Sequence, residues 1–162
     1  FRGIRSFEDQ WFEKKQWHAS MDIGFKVGLK TSPIFPGKVN FIGWTGMGNT
    51  IIIEHNIYGN KLYSVYGHFG DNNGYSGILA HVGENVDYDS IIGITGNSKP
   101  DCLNCDPHLH FEVRYITNIN LSNPSDPLMG MRYWAYEGEN WRKYFFDLGK
   151  IWGYDPDNFG GW

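Results

Sequence analysis

Polar and apolar residues alternate without a break through His108-Leu109-His110-Phe111-Glu112-Val113-Arg114-Tyr115. Strand side chains point to opposite faces in turn, so Leu109, Phe111, Val113 and Tyr115 are expected to face a core. His108 and His110 then share the other face. Similar alternating or wholly apolar runs predict strands over Ile23–Leu29, Lys38–Trp44, Thr50–His55, Lys61–His68, Ile91–Thr95 and Leu109–Ile116. Turn-forming clusters separate them, among them Pro36-Gly37, Gly46-Met47-Gly48-Asn49, Tyr58-Gly59-Asn60 and Asp71-Asn72-Asn73-Gly74. Helical signals are confined to the two ends. Ser6-Phe7-Glu8-Asp9 is a capping pattern with Phe7 and Trp11 one turn apart, which predicts a helix over about 7–15. Trp141, Tyr144, Phe145 and Leu148 recur at helical spacing ahead of Gly149 and predict a second. The expected fold is mainly β, antiparallel, with short flanking helices at both ends.

A length of 162 residues fits one compact domain, and 17% aromatic residues argue against disorder. The net charge of −4 and the lack of a basic stripe weigh against a nucleic-acid reader. No apolar run approaches the roughly 20 residues of a membrane-spanning helix. The chain starts at Phe1 without an initiator Met or a signal-peptide pattern, so a removed leader or a domain of a longer protein is expected.

The six histidines carry the chemistry. Two imidazoles at i and i+2 can converge on one metal ion, or divide into one ligand and one base. Alone, His108-x-His110 would more often be two solvated rings on a half-exposed strand. His18-Ala19-Ser20-Met21-Asp22 adds an imidazole and a carboxylate four residues apart, both ligand types suited to zinc. A catalytic zinc needs three protein ligands and an open position, and His18, Asp22 and one of His108 or His110 supply that number. In Tyr66-Gly67-His68-Phe69, strand alternation places Tyr66 and His68 on one face, with Tyr66 a candidate for substrate contact.

In order along the chain come His18-x-x-x-Asp22, Gly37-Lys38-Val39, Gly48-Asn49-Thr50-Ile51-Ile52-Ile53-Glu54-His55 and Tyr66-Gly67-His68-Phe69. Val82-Gly83-Glu84-Asn85-Val86, Ile92-Gly93-Ile94-Thr95-Gly96-Asn97-Ser98 and His108-Leu109-His110-Phe111-Glu112-Val113 follow. This collinear set resembles the lysostaphin/LytM-type zinc metalloendopeptidases that cut peptidoglycan peptides, over roughly residues 17–128. The resemblance implies an antiparallel β-sheet groove with Zn2+ held by His18, Asp22 and His110. It implies that His68 and His108 handle protons, that His55 is structural, and that His81 has no catalytic counterpart. Residues 1–16 are then a helical lead-in, 17–130 the zinc endopeptidase domain, and 131–162 an extension packed on it.

Two features depart from that family. Thr95-Gly96-Asn97-Ser98 is followed by Lys99–Asp106, an insertion carrying Cys102 and Cys105. A local disulfide between them fits an oxidising envelope or secreted setting. A redox-active pair and half of a second zinc site are the alternatives, although the pair lacks a thioredoxin-like context and no further cysteines exist. The extension holds 11 aromatic residues between 133 and 162, which suit a packing element or a platform for sugars or a partner. Asp155-Pro156-Asp157-Asn158-Phe159-Gly160 is too poor a calcium loop to count.

The function expected is zinc-dependent hydrolysis of peptide bonds in peptidoglycan cross-links or stems, by a monomer in the cell envelope, periplasm or outside the cell. The alternatives are a non-catalytic or latent module of the same fold, and an unrelated aromatic-rich sugar-binding β-domain.

Overall fold

The computed structural model describes residues 6–7, 16–18, 21–24, 26–71, 76–98, 107–115 and 134–136, with the side chains of 6–7, 16–18 and 134–136 outside the description. Every named element is a strand. In chain order they are β1 (Ser6–Phe7), β2 (Gln16–His18), β3 (Met21–Gly24), β4 (Lys30–Thr31), β5 (Gly37–Thr45) and β6 (Gly48–Ile57). β7 (Asn60–Gly67), β8 (Asn85–Val86), β9 (Gly93–Ile94), β10 (His108–Arg114) and β11 (Trp134–Tyr136) follow.

The main sheet has six strands in the order β3-β10-β7-β6-β5-β8, all antiparallel. Two tight turns build its centre. Tyr58 and Gly59 both have positive φ (51° and 81°), the twist that suits a two-residue hairpin between β6 and β7. Asn56 Oδ1 accepts the Gly59 N–H and secures that turn. Between β5 and β6, the Thr45 hydroxyl accepts the Met47 N–H and pairs with the Thr50 hydroxyl.

Register decides the faces. Phe111, Tyr66 and Ile51 lie opposite one another across β10, β7 and β6, and Val113, Ser64 and Ile53 repeat the row two residues on. This face carries the larger core: Val39, Ile51, Ile53, Leu62, Tyr66, Leu109, Phe111 and Val113, covered by Phe69, Ala80, Val86 and Ile92. The opposite face holds a smaller cluster of Phe41, Met47, Ile52, Tyr63 and Val65. Burial on both sides explains why β6 reads Thr50-Ile51-Ile52-Ile53 without alternation.

The antiparallel β architecture agrees with the sequence, with local differences. The strand expected over Ile23–Leu29 ends at Gly24, because the chain turns at Gly28 (φ 96°) and the Thr95 hydroxyl ties both sides of that turn. Ile91–Thr95 contributes only Gly93–Ile94 as strand, paired with β4. Phe7, expected to start a helix, lies in β1. Residues 8–15 and the helix expected over 141–148 lie outside the described residues.

Candidate functional site

Asp22 in β3, His110 in β10 and Gly67 in β7 lie directly opposite one another, so they share the sheet face away from the larger core. Glycine is required in that row. A Cβ on Gly67 would come within 2.9 Å of Met47 and 3.3 Å of the His110 Cβ. His110 is almost fully buried, with Nδ1 3.4 Å from Asp22 Oδ1. His108, opposite Gly24 and two residues before His110 on the same face, places Nε2 3.5 Å from Asp22 Oδ2. One carboxylate therefore faces two imidazoles, one with each oxygen.

The back of the His110 ring is fixed. Its Nε2–H donates to Glu112 Oε1 at 2.6 Å, and Glu112 Oε2 accepts from Arg114 Nε. All three side chains are buried, although alternation along a half-exposed strand would have left this face wet. Burial opposes a charge on His110, but the hydrogen bonds and charges of Asp22 and Glu112 outweigh it and hold its pKa up at about 9. Burial also opposes ionisation of Glu112, and Arg114 together with His110 outweighs it, bringing that carboxyl down to about 2.

His68 reaches the same place by an irregular route. Its φ of 66° turns the chain out of β7, while its N–H donates to the Met47 carbonyl at 2.9 Å. Its Nδ1 lies 2.9 Å from the Ser98 carbonyl, which can only accept, so the Nδ1 proton is fixed there and the lone pair sits on Nε2. The ring stands edge-on to His108, with centroids 4.8 Å apart, and 5.8 Å from His110. Three connections around it touch backbone to backbone. A Cβ on Gly48 would meet the Ser98 carbonyl at 1.9 Å, and one on Gly96 would meet the Gly70 carbonyl at 1.7 Å. Asn49 adds a side-chain clamp, donating to the carbonyls of Phe69 and Asp71.

The structure thus brings together Asp22, His68, His108 and His110. It does not bring Tyr66 to them. Tyr66 is buried in the larger core on the opposite face, its ring against Phe111 and its oxygen accepting the Ile34 N–H at 2.8 Å. The expected shared face fails because left-handed His68 breaks the alternation that would have kept it beside Tyr66. His55 is also on the core side, bonded to the Pro36 carbonyl and to Ser64. His81 is exposed beside Glu84. His18 ends β2, with its side chain outside the described residues, as are Cys102 and Cys105. Sequence reasoning missed Glu112, Arg114 and Ser98. The first two follow His110 at a period of two, a signal that was present.

Among the described residues no three donor groups form a metal-binding set by themselves. The donors present nevertheless suit zinc as two of three ligands. Ligands about 2.0–2.1 Å from a tetrahedral ion stand roughly 3.3 Å apart. The His110 Nδ1–Asp22 Oδ1 separation of 3.4 Å matches that edge and is longer than a good N–H···O bond. A ligating histidine typically donates its other N–H to a carboxylate, which is the His110–Glu112 arrangement.

Comparison with known proteins adds to this geometry. A zinc-containing peptidase from Vibrio cholerae is 26% identical, with a TM-score of 0.55 over 68% of this chain and 31% of its own. Lysostaphin is 25% identical, with a TM-score of 0.53 over 79% of this chain and 47% of its own. The chain therefore spans about a third and about half of those two proteins. LytU shares the fold at 20% identity, with a TM-score of 0.52 over 90% of this chain and 94% of its own. Comparison with curated protein sequences gave no significant match. The family model described as peptidase family M23 matches residues 16–127, a span that starts two residues before His18 and ends past Arg114. The chain belongs to peptidase family M23.

Proposed function

We propose that this chain is a zinc-dependent endopeptidase that hydrolyses peptide bonds in the cross-links or stems of bacterial peptidoglycan, acting in the cell envelope or outside the cell. The observation that carries this reading is the meeting of Asp22 and His110 with His68 and His108 on one sheet face. Membership of family M23 and similarity to lysostaphin support the reaction class and the substrate. His110 would hold zinc through Nδ1, with Asp22 and His18 completing the set. Bound there, zinc would lower the pKa of a water to about 7 and polarise the scissile carbonyl.

The chain's own residues supply the rest. Glu112 orients His110 and Arg114 keeps Glu112 ionised. His68, with its proton fixed at Nδ1, accepts one at Nε2. The same proton then passes from His68 Nε2 to the leaving amine, and His108, edge-on to His68, helps polarise the attacking water. A module that only binds would need neither the second pair of imidazoles nor the control of the His68 tautomer.

The purified protein should contain about one zinc per chain, the number for a single three-ligand catalytic site. Digestion of cell-wall sacculi should release new amino termini, and His110→Ala should lose both metal and cleavage. Stoichiometric zinc with no cleavage of any wall type would overturn the enzymatic reading.

A further inference from the structure

The two neighbouring ligands expected from the sequence lie in different sheets. Asp22 belongs to the six-stranded sheet, whereas His18 ends the middle strand of a separate three-stranded sheet in the order β1-β2-β11. Four residues span at most about 14 Å, so the small sheet must be held close to β3 if both are to reach one ion. The partners of β2 are unequal. β1 pairs with it only through Ser6↔Trp17 and Phe7↔Gln16. β11 pairs through Tyr136↔Gln16, Ala135↔Trp17 and Trp134↔His18. Among the described residues, the ladder partner of His18 is Trp134. That residue lies beyond the matched family segment, which ends at 127.

We infer that β11, within the aromatic C-terminal extension, is a positioning element of the metal site that holds His18 in register to meet Asp22 and His110. The inference rests on the zinc-peptidase reading above and deepens it. A two-stranded ribbon is marginal in water, and a third strand is usually needed for stable order. Without β11, β2 keeps only a two-residue ladder that stops short of His18. With β11, β2 becomes a central strand and its last residue is paired. The extension is thus part of the site's scaffold.

The test uses the full chain and zinc as the probe. Ala135→Pro and Tyr136→Pro are adjacent, so one of them removes an N–H that points at β2. At least one of the two should bind zinc about tenfold or more weakly in competition with a chelator, the loss usual for a supporting contact. Ala135→Thr, which suits a strand, should keep wild-type affinity. Hydrogen exchange separates positioning from general damage. Amides of β5–β7 should stay as protected as in the wild type, while those of 16–18 open in the weakened variant. In the wild type, adding zinc should slow exchange at 16–18 and at 134–136 together, a result that needs no variant to fold. Wild-type zinc affinity in both proline variants would overturn the inference, as would zinc protection at 16–18 that leaves 134–136 unchanged. A wild-type chain that takes up no zinc would overturn the metal reading itself and this inference with it.

Discussion

His110 and Glu112 are two residues apart on β10, and the 2.6 Å bond between ring Nε2 and carboxylate Oε1 leaves Nδ1 as the nitrogen that faces Asp22. The bond fixes both the tautomer and the tilt of the ring. Replacing Glu112 with Gln removes the charge that holds this arrangement and leaves buried Arg114 without its carboxylate. Glu112→Gln should weaken zinc binding by about 10–100-fold, measured by chelator competition. Glu112→Ala should also cost about 3–5 kcal/mol of stability, because it strands a buried charge.

The proposed reaction gives His68 proton transfer and leaves it off the metal. His68→Ala should lower kcat by about 10²–10⁴-fold while zinc content stays near one per chain. Metal analysis and steady-state kinetics on the same preparation check this. Zinc lost in parallel with activity would place His68 among the ligands instead.

Gly48 has a φ of 67° and stands against the Ser98 carbonyl that orients His68. An alanine there costs about 1–2 kcal/mol for its backbone conformation alone, and the clash must also displace Ser98. Gly59, with a φ of 81° and nothing within 4 Å, is the comparison. Gly59→Ala should show the conformational cost without loss of activity. Gly48→Ala should unfold at lower temperature than Gly59→Ala and lose kcat.

Tyr66→Phe separates the core role from a role in catalysis. The substitution leaves the partly buried Ile34 N–H without its acceptor, a loss of about 0.5–1.5 kcal/mol. Thermal unfolding should record it, and kcat and KM should stay at wild-type values.

His55 gives a pH dependence of known sign. Burial pushes its pKa below the ordinary histidine value of 6.5, with the Pro36 carbonyl partly opposing the shift. The unfolded chain therefore takes up a proton near pH 6.5 that the folded chain refuses. The contribution of His55 is present above pH 6.5 and is lost as the pH falls toward its folded value, with a slope of up to about 1.4 kcal/mol per pH unit. Denaturant unfolding of wild type and His55→Gln between pH 7.5 and 5 should converge as the pH falls. Parallel curves would show that the ring is not held neutral.

The sequence by itself determined the long strands of the main sheet and which residues share their faces. Period-two alternation assigned Leu109, Phe111 and Val113 to one face and His108 and His110 to the other, and the turn clusters separated β5, β6 and β7. These are local properties, set by side-chain direction within one strand. Tertiary structure decided everything that depends on how segments meet. His68 leaves the Tyr66 face because φ of 66° resets the alternation at the strand end, and that angle is imposed by contacts with Met47 and Ser98. Glu112 and Arg114 back the His110 ring because the second face of β10 is buried, a fact of packing that alternation cannot state. Trp134 comes to lie opposite His18 through 115 residues of intervening chain. Register across such a distance is written in no local period, and the pairing of distant strands alone sets it.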